Sequence, residues 1–274
     1  MKRSAWRQIN IAFPHLHATE DVAITHVAPV LTEAEARRLI TAWFFVRKGA
    51  WRLRYLPAST TSEADAYMID RLAHLNHVGY LAATIPGRYE PEIHAFGGTL
   101  AMEAAHRLWH LDSRHLLTPA TGGEPHRTRE LSIMLCAAMM RAASLDWYEQ
   151  GDVWARVAEH RDPPKSTLVD TLQAPVQRLL TVDPASLTHV DAPLATARTW
   201  IEGYTTAGAT LDRLNQTGQL HRGLRAILAH HVIFVWNRRG IPGLHQAALA
   251  TAAKTITFGP DPANAILTPT CGAS

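Results

Sequence analysis

Hydrophobic and polar positions follow two different periods along the chain. Residues 8–13 alternate polar and apolar side chains, which is typical of a strand with one buried face. Residues 43–55, WFFVRKGAWRLRY, form two apolar runs that meet at Gly49 and Ala50, and this pattern predicts a β-hairpin. After Gly98 the apolar residues recur at spacings of three and four, which predicts a succession of helices.

Helix signals also occur before Gly98. Thr32 followed by Glu35 has the form of a capping box and predicts a helix that continues through AEARRLITAWF. Residues 62–77 read as a second helix, and residues 83–98 as a loop or short strand. The sequence therefore predicts an α+β fold, with a small N-terminal antiparallel sheet packed on a larger helical body. We expect one domain over residues 1–261 and a loose tail over residues 262–274.

Composition indicates an ordinary globular protein. Of the 274 residues, 47% are hydrophobic and 19% are charged. The net charge of +3 and the pI of about 9.0 suit an anionic small group or an acidic peptide. The basic residues are scattered without interleaved aromatics, which argues against direct binding of nucleic acid. Two cysteines make no disulfide framework, and no stretch approaches the roughly 18 apolar residues of a membrane span. We therefore expect a cytoplasmic protein that does not contact a membrane.

The predicted hairpin places three arginines close together. If Gly49 and Ala50 form a two-residue turn, Arg47 faces Arg52, and Arg54 lies on the same side of the ribbon. Like charges opposed across a hairpin are destabilising, so this arrangement favours an anionic ligand between them. A three-residue loop would instead turn Arg47 away from the other two.

A structural interpretation of the same arginines stays open. Their stems can cover apolar surface while the charged heads reach solvent, or they can pair with acids such as Glu90 and Glu92. Glu92 is either such a salt-bridge partner or a group that handles protons.

Sixteen histidines raise the question of a metal site. His106 and His110 are spaced i, i+4 on a predicted helix. The chain has neither an HExxH motif nor cysteines at ligand spacing, so the sequence predicts no metal.

Several long motifs resemble a known family. The chain is similar to the SpaB C-terminal, or thiopeptide-type bacteriocin biosynthesis, proteins, which are related to the glutamate-elimination domain of class I lanthipeptide dehydratases. The motifs that carry the resemblance follow one another from about Trp6 to Ala252: WFFVR and WRLR, RYEPEIHAFGG, AHRLWHLDSRHLL, RELSIMLCAAMMRAASLDWYEQGDVWARVAEHR and LAHHVIFVWNRRGI.

The resemblance implies a carbon–oxygen lyase that modifies a ribosomally made precursor peptide. A partner protein glutamylates Ser or Thr from glutamyl-tRNA, and the small protein then eliminates glutamate to leave dehydroalanine or dehydrobutyrine. A second branch of the family is a pyridine synthase, which joins two dehydroalanines in a formal [4+2] cycloaddition and expels the leader peptide. A third possibility is a non-catalytic subunit that presents the peptide. The family implies no cofactor.

The resemblance also assigns roles to residues. It implies that Arg47, Arg52 and Arg54 grip the glutamyl group and that His231, or else His230, takes the α-proton. Three departures leave the reaction and the base open. Trp51 stands where the lanthipeptide enzymes have a histidine, and these enzymes have an arginine at the position of Ala95. Their late motif has a histidine shortly before Asn-Arg, whereas His230 and His231 lie six or seven residues before Asn237.

Four further positions are candidates, and two of them have two interpretations. Asn237 and Arg238 either close a substrate pocket or form the C-terminal cap of a helix before Gly240. Glu92 is counted with the substrate-binding residues. Asp112 reads as an N-cap for a following turn.

Overall fold

The computed structural model describes residues 5–119, 128–189 and 195–259. These residues fall into two compact units. The first lies within Met1–Thr128 and Asn237–Gly240, and the second within Arg129–Trp236 and Ile241–Ser274. The predicted tail over residues 262–274 lies outside the described residues, and the single domain over residues 1–261 stays a prediction.

A four-stranded sheet organises the first unit. All neighbouring strands are antiparallel, in the order β2-β3-β1-β4. The strands are β1 (Arg7–Ala12), β2 (Ile40–Lys48), β3 (Ala50–Pro57) and β4 (Ala83–Gly87). The N-terminal antiparallel sheet predicted from the alternating pattern is therefore confirmed.

Helices precede and follow these strands in the first unit. They are a 3₁₀ turn (Leu16–Ala18), α1 (Thr19–Val22), a π-helical turn (Ala23–Val27), α2 (Ala28–Ala36), α3 (Glu63–His77) and α4 (Thr99–Leu116). The predicted capping box is wrong, because Thr32 lies inside α2 and its hydroxyl donates to the carbonyl of Ala28. Helix α2 ends at Ala36, and the chain turns at Arg38, which has a φ of 57°. The apolar residues that follow form strand β2 instead of continuing the helix.

Side chains from helices cover both faces of the sheet. On one face Tyr55 donates its hydroxyl hydrogen bond to Asp65 of α3. On the other face the ring of Phe44 packs against Trp109 of α4, with ring centroids 5.1 Å apart.

Helix α4 also protects the edge strand β2. The N–H of Trp43 lies 3.1 Å from Nδ1 of His110, and the N–H of Phe45 donates to the hydroxyl of Ser113 at 3.4 Å. A free edge is a template for unwanted strand pairing, so these two side chains satisfy donors that would otherwise face another chain.

The described part of the second unit is helical. Its elements are α5 (Thr128–Ala142), α6 (Trp147–Glu159), α7 (Ser166–Thr181), short 3₁₀ turns (Pro184–Leu187 and Ala195–Ala197), α8 (Arg198–Gln216), α9 (Leu224–Arg238) and α10 (Gly243–Phe258). With the sheet of the first unit, these helices confirm the predicted α+β class. None of the described helices is both long and apolar enough to cross a bilayer.

One predicted helical stretch is two helices. The chain turns at Ser144, which has a φ of 60°, and α6 then begins after Asp146. The Asp146 carboxylate accepts the N–H of Glu149 at 2.8 Å, and the Glu149 carboxylate accepts the N–H of Asp146 at 3.1 Å. This reciprocal capping box satisfies two N–H groups that have no helical partner, so it fixes where α6 starts.

Candidate functional site

The register of the hairpin decides which arginines share a face. Lys48 pairs with Ala50, so Gly49, at a φ of 68°, stands alone between the strands. Arg47 is therefore opposite Trp51, while Arg52 and Arg54 are opposite Val46 and Phe44. The prediction that Arg47 faces Arg52 is wrong. Directly opposed residues share a face, so Arg47 lies on the other side of the sheet from the remaining two arginines.

Packing explains this register. The observed pairing stacks the ring of Phe45 on Trp51, with centroids 4.4 Å apart and planes inclined by 10°. A shift of one residue would move Phe45 and Arg47 to the opposite face, and Phe45 is fully buried where it lies. The aromatic pair therefore outweighs the turn preference from which the other register was predicted.

Arg47 is neutralised on its own face. Its Nη1 lies 2.6 Å from the carboxylate of Glu20, and its guanidinium carbon lies 4.6 Å from the centre of the Trp51 ring. Burial lowers the pKa of Arg47, and the Glu20 carboxylate offsets part of that effect. Arg47 therefore already has an acidic partner within the chain, and its charge does not require an anionic ligand.

The turn after α9 also touches Arg47. Gly240 has a φ of 66°, and its N–H donates to the carbonyl of Asn237 at 3.1 Å. A Cβ atom at Gly240 would lie 2.7 Å from Nη1 of Arg47. The predicted helix end near Asn237 and Arg238 is therefore found. The left-handed backbone favours glycine at position 240, and a Cβ atom there would also force the end of the Arg47 side chain to shift.

Replacing Gly240 by alanine should destabilise the protein by about 1–2 kcal/mol for the left-handed backbone, and further through contact with Arg47. Gly218→Ala is a matched control, because Gly218 has a φ of 68° and its Cβ would have no neighbour within 4 Å. Thermal unfolding of both variants separates the two costs. Equal losses of stability would contradict a role for the Arg47 contact.

Arg52 and Arg54 lie together on a polar strip of the sheet. In register, Arg54 is opposite Gln8 and Arg52 is opposite Asn10. We call the surface formed by these four residues the arginine face. The Nε of Arg54 donates to the side-chain oxygen of Gln8 at 2.9 Å. No described residue accepts a hydrogen bond from the Nη groups of Arg54 or from any nitrogen of Arg52.

Tyr89 and His106 form a buried pair beside Arg54. The guanidinium carbon of Arg54 lies 4.0 Å from the centre of the Tyr89 ring. The Tyr89 hydroxyl is 2.8 Å from Nε2 of His106. Burial, with a further contribution from the Arg54 charge, lowers the pKa of His106 to about 4, and burial raises the pKa of Tyr89. Both side chains are therefore uncharged at neutral pH.

Glu92 lies in the segment between β4 and α4 and is exposed. Its carboxylate partly offsets the lowering of the Arg54 pKa, which burial causes. It forms no ion pair with a described residue, so the expected salt bridge to an arginine is absent from that part of the chain. The charged groups around Arg54 are thus a second cation, Arg52, and the carboxylate of Glu92, which has no ion-pair partner among the described residues.

Arg238 has a structural partner in the first unit. Asp112 lies inside α4, not at an N-cap as predicted, and is fully buried with Arg238. Its carboxylate accepts Nε of Arg238 at 2.9 Å and Nη2 of Arg239 at 3.0 Å. Two guanidinium groups thus share one carboxylate within the first unit, which includes residues 237–240 as well as α4.

The two candidate bases lie in the second unit, on α9. His231 is buried, with 1% of its surface exposed. His230 is half-buried, and its Nδ1 lies 3.2 Å from the carbonyl of Ala226. Burial lowers the pKa of His230, and the Arg222 charge lowers it further. Their catalytic role stays a prediction.

Sequence reasoning did not single out Gln8 or Tyr89, and it considered His106 only as a metal ligand. The structure gives His106 and His110 different partners, since His110 binds the backbone of Trp43. The sequence feature that could have identified Gln8 is the alternation of polar and apolar residues in β1, which predicts that Gln8 and Asn10 share a face. Pairing that strand with β3 required the tertiary structure.

A family model described as the C-terminal part of lantibiotic biosynthesis dehydratases matches residues 6–256. The chain belongs to this family. The resemblance inferred from the sequence motifs is therefore confirmed, and family membership places the chain among dehydratase-type proteins of peptide-antibiotic biosynthesis.

Two solved structures share the fold. The tRNA-dependent lantibiotic dehydratase MibB from Microbispora sp. 107891 superimposes with a TM-score of 0.60 at 18% identity over 98% of this chain. This chain spans only 29% of the length of MibB. TsrL superimposes with a TM-score of 0.61 at 14% identity, over 93% of this chain and 95% of TsrL. A search among curated proteins finds no significant match.

Proposed function

We propose that this protein eliminates glutamate from glutamylated Ser or Thr residues of a ribosomally made precursor peptide. The observation that carries the proposal is that Arg52 and Arg54 share one face of the sheet and keep N–H donors that no described residue accepts. Arg47 and Arg238, in contrast, are already paired with Glu20 and Asp112. The proposed glutamyl site therefore contains two of the three hairpin arginines.

The charged groups around Arg54 are complementary to those of glutamate. A glutamyl ester uses one carboxyl group, so the departing glutamate carries two carboxylates and one ammonium group. Two guanidinium groups can each bind a carboxylate through paired N–H donors. Glu92, which acts electrostatically on Arg54 and has no ion-pair partner among the described residues, suits the ammonium group.

Elimination places new negative charge on the leaving carboxylate. A base removes the α-proton, the electron pair of that C–H bond forms the Cα=Cβ double bond, and the Cβ–O bond breaks. The oxygen leaves as part of the glutamate carboxylate. Guanidinium groups held beside that oxygen stabilise a charge that grows in the transition state, which lowers the barrier.

The remaining parts of the proposal follow the family. His231, or else His230, takes the α-proton, and Asn237 with Arg238 supports the pocket. The partner that supplies the substrate is a protein that glutamylates the precursor peptide from glutamyl-tRNA. The precursor's leader and glutamylated core are the direct ligands of this chain.

A second candidate function is the formal [4+2] cyclisation of two dehydroalanines with release of the leader peptide. The observation that favours it is the uncharged pair of Tyr89 and His106 beside Arg54. Such a pair can donate and accept a proton without an ionic base. The substitution of the family arginine by Ala95 also fits a reaction other than elimination.

Mass spectrometry of two purified substrates tests these functions. With a glutamylated precursor peptide, we expect stepwise loss of glutamic acid and appearance of dehydroamino acids. With a bis-dehydroalanine peptide, release of the leader would instead establish cyclisation. Binding of both peptides without any change of mass would leave a peptide-presenting subunit and would contradict both enzymatic proposals.

A further inference from the structure

We infer that Gln8 and Tyr89 are positioning residues that fix the Arg54 guanidinium, so that its two Nη groups are the donors offered to a substrate carboxylate. This inference rests on the proposed function, because it specifies how the glutamyl site is organised. Gln8 lies outside the motifs that carry the family resemblance, and Tyr89 lies in the RYEPEIHAFGG motif without a role assigned to it.

Gln8 selects the edge of the guanidinium that remains available. A guanidinium group can bind a carboxylate through Nε and one Nη, or through both Nη groups. The side-chain oxygen of Gln8 accepts Nε of Arg54 at 2.9 Å and so occupies the first of these edges. No described residue accepts from the Nη edge. A carboxylate that reaches Arg54 therefore meets two parallel donors at the Nη edge.

Tyr89 fixes the plane of the same group. Its ring lies 4.0 Å from the guanidinium carbon, and the ring of Phe44 lies 5.3 Å from that carbon. A cation beside an aromatic face is stabilised by the ring quadrupole, more strongly where water is excluded. Only 6% of the Arg54 surface is exposed, so this contact is largely desolvated. The hydrogen bond from Nε to Gln8 thus restrains rotation of the guanidinium within its plane, and the Tyr89 ring restrains rotation out of that plane.

Each positioning residue is held in turn. The side-chain nitrogen of Gln8 donates to the side-chain oxygen of Asn10 at 2.9 Å, which directs the Gln8 oxygen towards Arg54. The hydroxyl of Tyr89 is 2.8 Å from His106, whose ring lies 4.6 Å from that of Trp6. Supporting hydrogen bonds of this kind reduce the rotamer freedom that a ligand would otherwise have to remove on binding.

The charge state of His106 fits this role. A protonated imidazole next to Arg54 would repel it, and burial together with that same repulsion lowers the pKa of His106 to about 4. The groups that face His106 are Arg54 from β3 and Tyr89 from the segment after β4. A carboxylate bound at Arg54 compensates the positive charge, so it should raise the pKa of His106. This histidine is therefore a reporter of occupancy.

Steady-state kinetics with glutamylated peptide test the positioning role. Gln8→Leu removes the acceptor for Nε, and Tyr89→Leu removes the ring. We expect each to raise KM about tenfold, which corresponds to about 1.4 kcal/mol of binding free energy, with a smaller effect on kcat. Gln8→Glu keeps an acceptor oxygen and should recover most of the loss. Gln177→Leu, at an exposed position of α7, is the control for a general effect of losing a glutamine.

Two NMR readouts do not depend on turnover. The Nε–H signal of Arg54 should be protected from solvent exchange in the unmodified protein and in Gln8→Glu, and should be lost in Gln8→Leu. Titration with glutarate, a plain dicarboxylate, should raise the pKa of His106 in the unmodified protein. In Tyr89→Leu the shift should require a higher glutarate concentration.

An unchanged KM in both leucine variants would overturn the inference. So would an unchanged Nε–H signal in Gln8→Leu or an unchanged glutarate response in Tyr89→Leu. The proposed function fails in a different way, if the unmodified protein releases no glutamate from glutamylated peptide. In that case the NMR readouts still decide whether Gln8 and Tyr89 organise Arg54 for a carboxylate.

Discussion

Replacing both Arg52 and Arg54 by alanine should lower the rate of glutamate elimination by at least about a hundredfold. Each guanidinium offers charge-assisted hydrogen bonds of about 1.5–3 kcal/mol, and about 1.4 kcal/mol corresponds to a factor of ten in rate. The glutamylated peptide should accumulate unchanged. The melting temperature should also fall, because Arg54 is buried, donates to Gln8 and packs on the Tyr89 ring, so the rates are compared at a temperature at which the variant is still folded. Mass spectrometry of the peptide over time gives the rate.

Lysine substitutions separate the contribution of the positive charges to the elimination rate from that of the guanidinium geometry. Arg52→Lys with Arg54→Lys keeps both charges but removes the planar forks, so we expect an intermediate loss. Arg47→Ala is the comparison across the sheet, since this residue lies on the opposite face and pairs with Glu20. It should lower stability more than elimination. A loss of elimination in Arg47→Ala equal to that of the double variant, with the fold intact, would contradict the two-arginine site.

Replacing Asp112 by alanine should have the largest effect on stability. Its carboxylate is fully buried between Arg238 and Arg239, so its removal leaves buried guanidinium charge without this counter-ion. Breaking a buried ion pair from one side costs about 3–5 kcal/mol. For a domain of this size that corresponds to a fall in melting temperature of roughly 6–20 °C. Differential scanning calorimetry measures it.

Asp152 provides a matched control on α6. It also accepts from two arginines, Arg156 at 3.2 Å and Arg225 at 3.1 Å, but 31% of its side chain is exposed. Asp152→Ala should therefore cost only about 0.2–1 kcal/mol. Similar melting temperatures for the Asp112 and Asp152 variants would show that burial does not make the Asp112 cluster special.

The positions of helices and strands could be predicted where the signal was local. Periodicity located α3, α4 and the helices of the second unit, because their apolar faces repeat over many residues. It failed at residues 28–48, where Thr32 and Glu35 imitate a helix start inside a helix that is already formed. It also joined α5 to α6, since the capping box of Asp146 follows a turn too short to interrupt the pattern.

The candidate site was only partly accessible from the sequence. The motif around residues 43–55 identified Arg52 and Arg54, and the polar alternation of β1 contained Gln8. The partners of Arg54 come from positions 8, 89 and 106, which no local rule connects. Asp112 likewise meets Arg238 across 126 positions of the chain.

By itself the sequence determined the α+β class, most elements and the family, because periodicity and motif identity reside in neighbouring residues. Only the tertiary structure decided that Arg47 lies apart from Arg52 and Arg54. Turn chemistry alone permitted either register of the hairpin, and the stacking of Phe45 on Trp51 in the core selected one. The same packing left two guanidinium groups, instead of three, on the face that we propose binds the glutamyl carboxylate.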